Sequence, residues 1–308
     1  MNERHLIEII KDIVGDKYIG DDCAYLEDLG VVISQDSLVQ DVHFSMDWMS
    51  ARELGIKSAL VNISDVLASG AKPCYMTVSL SLPPFLKEEF VRDFYDGLSV
   101  ACKKYGVKVV GGDLTGSDKV YVSISVIGRA DGRNISSRKN AQVGYNVYVA
   151  GVHGESAVGL KALLDGDETL PQRFIDAHKS PKLCRNFAYE VANIVREPYA
   201  MMDTSDGLAD ALFKIAKASG VTISIDLMTV PTSEQLKKIP DYKNLLMFGG
   251  EDYGLVAVVP DKYIINSGVK IGEVLVEQSS VLNVADNGKI VKYSSIDEFT
   301  YQHFKVKP

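Results

Sequence analysis

The sequence has no cluster of basic residues. Its 33 Lys and Arg are outnumbered by 41 Asp and Glu, which gives a net charge of -8. Because proteins hold nucleic-acid backbones with clustered Lys and Arg, this balance argues against nucleic acid as a partner. An acidic protein can still bind anionic metabolites when divalent cations lie between its carboxylates and the phosphates of the ligand.

Long apolar runs and paired cysteines are also missing. A membrane span needs about 18 uninterrupted apolar residues, and no such run occurs, so we expect no membrane partner. The N-terminal residues mix charges with apolar positions at helical spacing, which predicts a surface helix rather than a signal peptide and therefore a cytoplasmic protein. The four cysteines form no CxxC pair, which favours buried thiols over a zinc site or a disulfide framework.

The common nucleotide-binding loops are absent as well. Residues 154–161 have glycines at roughly the spacing of a Walker loop but lack its Gly-Lys-Ser/Thr ending. Neither a protein-kinase nor a Rossmann glycine pattern occurs, and no serine lies in a GxSxG elbow. A protein of this sequence that uses ATP must bind the nucleotide in another way.

The 308 residues are 46% apolar, which is enough for two domains. Short apolar runs alternate with segments of helical period, and this alternation predicts a mixed α/β fold. The clearest predicted helices are 51–70, 87–105, 181–195 and 206–219. The predicted strands are 31–35, 75–82, 107–110, 119–127, 146–150, 221–226 and 254–259. A polar, glycine-containing stretch at 131–145 predicts a boundary between a first domain, 1–138, and a second domain, 139–308.

Five acidic clusters place Asp beside Gly, Ser or Thr at predicted turns or element edges: 20–22, 34–37, 62–65, 111–113 and 203–207. Each also has an ordinary explanation, such as a solvated turn at 20–22, a plain turn after strand 107–110, or a helix N-cap at Ser205 or Asp206. The 62–65 cluster is more informative. Its helix would align Ser58, Asn62, Asp65 and Ser69 on one face, and these short polar side chains favour a face turned towards a ligand cavity. Together the clusters predict several metal ions that bridge carboxylates to a polyphosphate.

In this order, the clusters resemble the thiamine-monophosphate kinase family of the aminoimidazole ribonucleotide synthetase-like superfamily. The resemblance extends over nearly the whole chain and rests on eight stretches: 20–24 (GDDCA), 34–38 (SQDSL), 41–44 (DVHF), 57–65 (KSALVNISD), 70–73 (GAKP), 111–113 (GGD), 203–208 (DTSDGL) and 248–253 (FGGEDY). It implies two α/β domains with mixed sheets flanked by helices, a homodimer formed by the N-terminal domains, and ATP near the dimer interface. It also implies transfer of the γ-phosphoryl group of ATP to the phosphate of thiamine monophosphate, assisted by several Mg²⁺ ions.

The resemblance further implies roles at matching positions. The magnesium ligands would be Asp22, Ser34, Gln35, Asp36, Asp65, Asp113, Asp203 and Asp206, with residue 35 contributing through its backbone. Of these, Asp65, Asp113 and Asp206 would be catalytic. ATP would contact Gly112, Asp113, Arg138, Ser205 and Tyr95, and thiamine phosphate would contact His43, Glu251 and Tyr301. The sequence departs from the family pattern at Gln35, where a Thr is usual, in the segment after Arg138, and at Thr300, where a Gly is usual.

Other interpretations remain open at this point. Selenophosphate synthetase and aminoimidazole ribonucleotide synthetase belong to the same superfamily, and a reactive cysteine near the N-terminus, such as Cys23, would favour the first. A partner-dependent hydrogenase-maturation protein would carry a C-terminal cysteine, whereas this sequence has Lys-Val-Lys-Pro at 305–308. A non-catalytic metal-binding protein is the remaining alternative. A structural histidine at His43 and simple terminal packing at Tyr301 are the alternatives to substrate contacts.

Overall fold

The computed structural model describes residues 3–277 and 279–301, and it has the predicted mixed α/β architecture. The helices of the described chain are α1 (Glu3–Val14), α2 (Ala51–Ala68), α3 (Glu88–Tyr105), α4 (Glu155–Asp165), α5 (Gln172–Lys179), α6 (Arg185–Ile194), α7 (Leu208–Ser219) and α8 (Tyr242–Phe248). The strands are β1 (Ala24–Leu26), β2 (Val31–Val39), β3 (Lys72–Leu82), β4 (Lys108–Gly116), β5 (Tyr121–Arg129), β6 (Asn146–Ala150), β7 (Ala200–Asp203), β8 (Thr222–Asp226), β9 (Leu255–Val259), β10 (Val269–Leu275), β11 (Leu282–Asp286) and β12 (Lys289–Tyr293). Every predicted helix and strand is present, with shifted ends.

The first sheet has five strands in the order β1-β2-β5-β3-β4. β3 and β4 are parallel and are connected through α3, whereas the other neighbours are antiparallel. Along β5, the side chains of Val122, Ile124 and Val126 are buried, and the residues between them are more exposed. The sheet therefore has a buried inner face, which α2 covers, and an outer face. Helix α2 begins with a capping box formed by Ser50 and Glu53.

Strand β4 continues beyond the predicted strand 107–110. The prediction that the glycines at 111–113 follow this strand as a turn is wrong, because the pairing with β3 continues to Gly116. A Cβ atom at Gly112 would collide with the carbonyl oxygen of Val78, so glycine permits the close approach of the two strands. β4 lies at the edge of the sheet, and all of its residues are exposed.

The second sheet has seven strands in the order β12-β11-β8-β10-β6-β9-β7. Its neighbours are antiparallel except for the parallel pair of β8 and β11. β6 and β9 are buried along their whole length, as their apolar sequences predict. Helix α7 packs against β7, β8 and β9, and this packing sets the direction in which the segment before α7 leaves the sheet.

The predicted boundary after residue 138 falls in a short 3-10 turn, Arg138–Asn140, between the strands of the two sheets. One hydrophobic cluster nevertheless contains buried side chains from both sides of this turn, among them Leu60, Ile124, Phe187 and Leu255. Helix α2 contacts β7, α5 and α6 in addition to the first sheet. The two halves therefore share a core, and their division into residues 1–138 and 139–308 remains a prediction.

All four cysteines are free thiols, and three of them are buried, in agreement with the sequence. Within the described ranges, no helix combines the length and the apolar composition that crossing a bilayer requires.

Candidate active site

Three aspartates from distant parts of the chain meet at the junction of the two halves. One carboxylate oxygen from each of Asp22, Asp65 and Asp203 lies within 4.8 Å of the other two. Asp22 precedes β1, Asp65 lies in α2, and Asp203 ends β7. We call these three residues the carboxylate cluster. The structure thus brings together three of the residues that the sequence predicted as magnesium ligands.

Serine hydroxyls orient two of the three carboxylates. Ser34 Oγ donates a hydrogen bond of 2.6 Å to Asp65 Oδ2, and Ser64 Oγ donates one of 2.6 Å to Asp203 Oδ2. Short hydrogen bonds to ionised acceptors are among the stronger ones in proteins, and such partners fix the orientation of metal-binding carboxylates. The first serine was predicted as a magnesium ligand, whereas sequence reasoning assigned Ser64 no role.

Arg138 connects the cluster to a neighbouring cavity. Its Nη2 donates to Asp22 Oδ1 at 2.6 Å, its Nη1 to the carbonyl oxygen of Gly20 at 3.1 Å, and its backbone N to Asp21 Oδ1 at 2.7 Å. Arg138 and Asp21 also line a cavity of about 1090 Å³ beside the 3-10 turn. The guanidinium group therefore lies at the border between the cavity and the cluster, where a charged ligand group would find a bidentate donor.

Burial and mutual repulsion raise the pKa values of the acidic side chains in and around the cluster. Burial, followed by the charge of Asp22, raises the pKa of Asp203 to about 7. Burial, followed by the charges of Asp36 and Asp203, raises the pKa of Asp65 well above its ordinary value. Asp36 is exposed by surface area, yet the protein atoms around its carboxyl group, followed by the charges of Asp22 and Asp206, raise its pKa to about 6. Such groups relieve their repulsion by binding protons or cations.

The cluster fits a hard divalent cation. Mg²⁺ prefers oxygen ligands from carboxylates and hydroxyls, and the residues here offer both. A bound cation would also neutralise the charges that raise these pKa values. Five of the predicted ligands lie in the cluster or interact with it: Asp22, Ser34, Asp36, Asp65 and Asp203. Their role as ligands remains a prediction.

Asp206 and Ser205 lie in the segment that connects β7 to α7. Neither side chain caps α7, because the N-cap position is Gly207 and no side-chain hydrogen bond caps the helix. Asp206 Oδ2 instead forms an ion pair of 2.9 Å with Lys214 Nζ, which also contacts Asp210 Oδ2 at 2.6 Å. The predicted N-cap explanation is therefore wrong for both residues, and an ammonium group lies beside the predicted catalytic Asp206.

Gln35, Gly112 and Asp113 lie away from the cluster in a single copy of the chain. The Gln35 side chain is on the outer face of the first sheet, where Ser125 Oγ donates to its Oε1 at 2.7 Å, although its backbone lies in β2 next to the predicted ligands. Asp113 pairs with Ser79 of β3. Three strand spacings, about 14 Å, separate β4 from β2.

The adjacent acidic residues Glu251 and Asp252 contact different parts of the protein. The Asp252 carboxylate accepts hydrogen bonds from the backbone N–H groups of Gly154 at 2.5 Å and Ser156 at 3.0 Å, and so it caps the start of α4. Glu251 has a left-handed backbone with φ of 63°, and its side chain reaches Lys57 of α2. The sequence predicted a role for Glu251 but none for Asp252.

Sequence reasoning also missed Lys57 and His178. The Lys57 side chain is fully buried, with Nζ 3.2 Å from Glu251 Oε1 and 3.3 Å from His178 Nε2. Burial lowers the pKa of Lys57, and burial followed by the charge of Lys57 lowers the pKa of His178 far below its ordinary value. The available signal was that Lys57 is the single lysine between residues 50 and 70, in an otherwise largely apolar helix.

The remaining predicted contacts are His43, Tyr95 and Tyr301. The backbone N–H of Val39 donates to His43 Nδ1 at 3.0 Å, which fixes the orientation of the ring. Tyr95 is half-buried in α3, and its ring packs edge-on against Phe94. Tyr301 is 61% exposed at the end of the described chain, and residues 302–304 of the same predicted motif lie outside the described residues.

The Cys23 thiol lies close to the carboxylate cluster but is not set up for reaction. Burial, followed by the charges of Asp65 and Asp22, raises its pKa well above the ordinary value. Since the thiolate is the nucleophilic form, a thiol held protonated in this way is unreactive. This finding disfavours the selenophosphate synthetase interpretation that a reactive Cys23 would have supported.

Comparisons with known proteins match both halves of the chain. Residues 20–130 match the family described as AIR synthase related protein, N-terminal domain, and residues 142–266 match its C-terminal domain. The chain is 36% identical to a thiamine-monophosphate kinase of Bacillus subtilis over 79% of this chain and 78% of that protein. It is 34% identical to a thiamine-monophosphate kinase of Aquifex aeolicus over 84% of this chain and 86% of that protein.

The structural comparison gives the same result. A solved structure described as AaThiL complexed with AMPPCP and TMP has a TM-score of 0.88 and 31% sequence identity to this chain. The match covers 98% of this chain and 97% of the other. The similarity therefore includes the arrangement of both sheets and not only one domain.

Proposed function

The chain belongs to the thiamine-monophosphate kinase family, and from this membership we propose that it transfers the γ-phosphoryl group of ATP to the phosphate of thiamine monophosphate. The observation that carries the proposal is the convergence of Asp22, Asp65 and Asp203 from both halves into one largely enclosed cluster, in which Asp203 is buried and the other two are partly buried. The similar structure that holds AMPPCP and TMP supports the choice of both substrates.

The proposed reaction breaks the bond between the γ-phosphorus and the oxygen that bridges it to the β-phosphate, and it forms a bond to a phosphate oxygen of thiamine monophosphate. The products are ADP and thiamine diphosphate. The acceptor oxygen is already ionised at neutral pH, so no general base is required. Attacking and leaving oxygens lie in line in such a transfer, and catalysis then consists of positioning and charge neutralisation.

The protein's own residues would position the two phosphate groups. Arg138 would exchange its contact with Asp22 for a bidentate contact with the nucleotide, and His43 would contact the thiamine phosphate. Ser205 would contact ATP from the start of α7, where the helix dipole favours negative charge. Glu251 would bind the thiamine part.

Asp22, Ser34, Asp36, Asp65, Asp203 and Asp206 would hold magnesium. When bound, Mg²⁺ supplies the positive charge that lets two mutually repelling phosphate groups approach each other. Gln35 and Asp113 are the predicted ligands that a single copy of the chain does not place there.

A homodimer would account for the position of Gly112 and Asp113. They lie on the exposed edge strand β4, where Val110 is 57% and Leu114 63% exposed, and natural proteins usually cover such edges. We infer that a second copy covers this face, so that the glycine-containing strand borders the site between two protomers. Sedimentation of the protein tests this, with a dimer expected for the wild type and monomers for Leu114→Asp. A monomeric wild-type protein contradicts it.

Incubation of the protein with ATP, Mg²⁺ and thiamine monophosphate tests the reaction itself. We expect thiamine diphosphate and ADP in equal amounts, and neither product when EDTA replaces Mg²⁺. ADP without thiamine diphosphate would contradict the proposed acceptor.

The free cysteines and the need for ATP favour the cytoplasm as the compartment.

A further inference from the structure

The Lys57 ammonium group lies at nearly equal distances from the two carboxylate oxygens of Glu251. Its Nζ lies 3.2 Å from Oε1 and 3.3 Å from Oε2, and its side chain has no exposure to solvent. The ammonium group therefore lies close to the bisector of the carboxylate, on its buried side. The Glu251 side chain remains 27% exposed, so its outward side is open to a ligand.

His178 lies beside the same carboxylate and contacts Lys57. Its Nε2 is 3.3 Å from Lys57 Nζ, and because an ammonium group can only donate, Nε2 accepts and the proton of the neutral ring is on Nδ1. Nδ1 lies 3.2 Å from Glu251 Oε2 and 3.1 Å from Ser156 Oγ. The ring of Trp48 packs against the His178 ring at 5.6 Å between centroids, which limits its rotation.

The backbone of Glu251 is also held in an unusual conformation. A left-handed φ of 63° is rare for a residue with a side chain, and such positions persist when the surrounding structure enforces them. Here the backbone N–H of Glu251 donates to the carbonyl oxygen of Ser205 at 2.6 Å. Contacts from α2, α5 and the segment before α7 therefore determine where this one carboxylate points.

We propose that Lys57 is a positioning residue for substrate recognition. It holds Glu251 turned so that its outward lone pairs accept a hydrogen bond from the amino group on the ring of the thiamine substrate. A carboxylate offers about four acceptor sites, and the Lys57 ammonium group, on the buried side, leaves the outward ones open. This inference rests on the proposed function, in which Glu251 binds the thiamine part of the substrate.

A purely structural role explains the arrangement less well. Buried ion pairs contribute little net stability, because desolvation offsets the attraction between the charges. Helices α2 and α5 are also joined by a second pair, Lys179 Nζ to Glu53 Oε1 at 3.0 Å, which is partly exposed and does not touch Glu251. This second pair supplies a matched control, since its loss weakens the same contact between helices without affecting the carboxylate.

The test compares steady-state kinetics of Lys57→Met and Lys179→Met with those of the wild type. For Lys57→Met we expect the KM for thiamine monophosphate to rise about 10- to 100-fold, the usual range for a hydrogen bond to a charged group, with the KM for ATP unchanged. Lys179→Met should change neither constant. A rise in both KM values, or the same change in both variants, would indicate a structural role and overturn the inference.

A second comparison tests the inference even if the Lys57→Met variant does not fold. Glu251→Gln should raise the KM for thiamine monophosphate by itself, and the double variant Lys57→Met/Glu251→Gln, which buries no lone charge, should show no further rise. Additive effects in the double variant contradict the inference while leaving the proposed function intact. A wild-type protein that forms no thiamine diphosphate overturns both.

Discussion

Ser64 of α2 donates a hydrogen bond of 2.6 Å to Asp203 Oδ2 at the end of β7, and this contact joins the two halves of the chain inside the candidate site. Ser64 is fully buried, and Asp203 is 1% exposed. The orientation of a carboxylate from the second half thus depends on a hydroxyl from the first.

Ser64→Ala should lower the affinity for Mg²⁺, and with it the activity, by about 10- to 100-fold, the usual effect of losing a partner that orients a metal ligand. Titration of activity with Mg²⁺ measures this effect. Ser58→Ala is the matched control, because Ser58 is equally buried in α2 and its Oγ has no hydrogen-bond partner among the described residues. Equal behaviour of the two variants would contradict the assigned role of Ser64.

Asp65→Asn should reduce thiamine diphosphate formation by more than about 100-fold, because it removes a charge from the cluster itself rather than from a supporting residue. The fold should survive, since the pKa of Asp65 is raised and the neutral amide replaces a carboxyl group that burial already disfavours as an ion. Product assays and circular dichroism check the two statements. Asp176→Asn, at an exposed position of α5, should retain full activity.

Stability without magnesium should fall as the pH rises from about 5 to 8. The folded-state pKa values of Asp36 and Asp203 are raised from 3.8 to about 6 and about 7, so the folded protein binds protons more tightly than the unfolded chain. The stability from these protons is present below the unfolded pKa and is lost as the pH passes through the folded values. Thermal melts in EDTA should therefore show a decreasing Tm, and Mg²⁺ should reduce the decrease. Asp203→Asn should make the profile in EDTA flatter, and an unchanged slope would count against the cluster as its origin.

Asp252→Ala should destabilise the protein by about 0.5–2 kcal/mol through loss of the α4 cap, and the KM for thiamine monophosphate should remain near the wild-type value. Glu251→Gln should instead raise the KM, and it should also lower stability because it leaves the buried Lys57 ammonium group without its carboxylate partner. Chemical denaturation and kinetics of both variants separate the two acids. The assignment fails if Asp252→Ala changes the KM as much as Glu251→Gln does.

The cluster itself was predictable from sequence. Asp22, Asp65 and Asp203 stand next to Gly, Ser or Thr at the ends or on one face of predicted elements, and their order along the chain matched one family. Their meeting in space depends on tertiary packing, which local patterns do not encode. The structure supplies it through α2, which contacts both sheets.

Other residues of the site gave weaker local signals. Lys57 is the single lysine between residues 50 and 70, but local patterns do not show that the packing of α2 between the two halves buries it. Asp252 follows Glu251 directly, and only the structure shows that Glu251 reaches Lys57 whereas Asp252 caps α4. The paired glycines before Asp113 favoured a sharp turn after strand 107–110, whereas in the structure Gly112 permits continued pairing with β3.

The core that crosses the boundary also bears on how the molecule is made. During synthesis, residues 1–138 leave the ribosome first, and α2 then carries apolar side chains that pack against Phe187 and Leu255 only after the rest of the chain appears. The first half therefore exposes apolar side chains to solvent until the second half has been synthesised. Fragments cut at the boundary should aggregate when expressed alone, and the carboxylate cluster can form only after Asp203 has been synthesised.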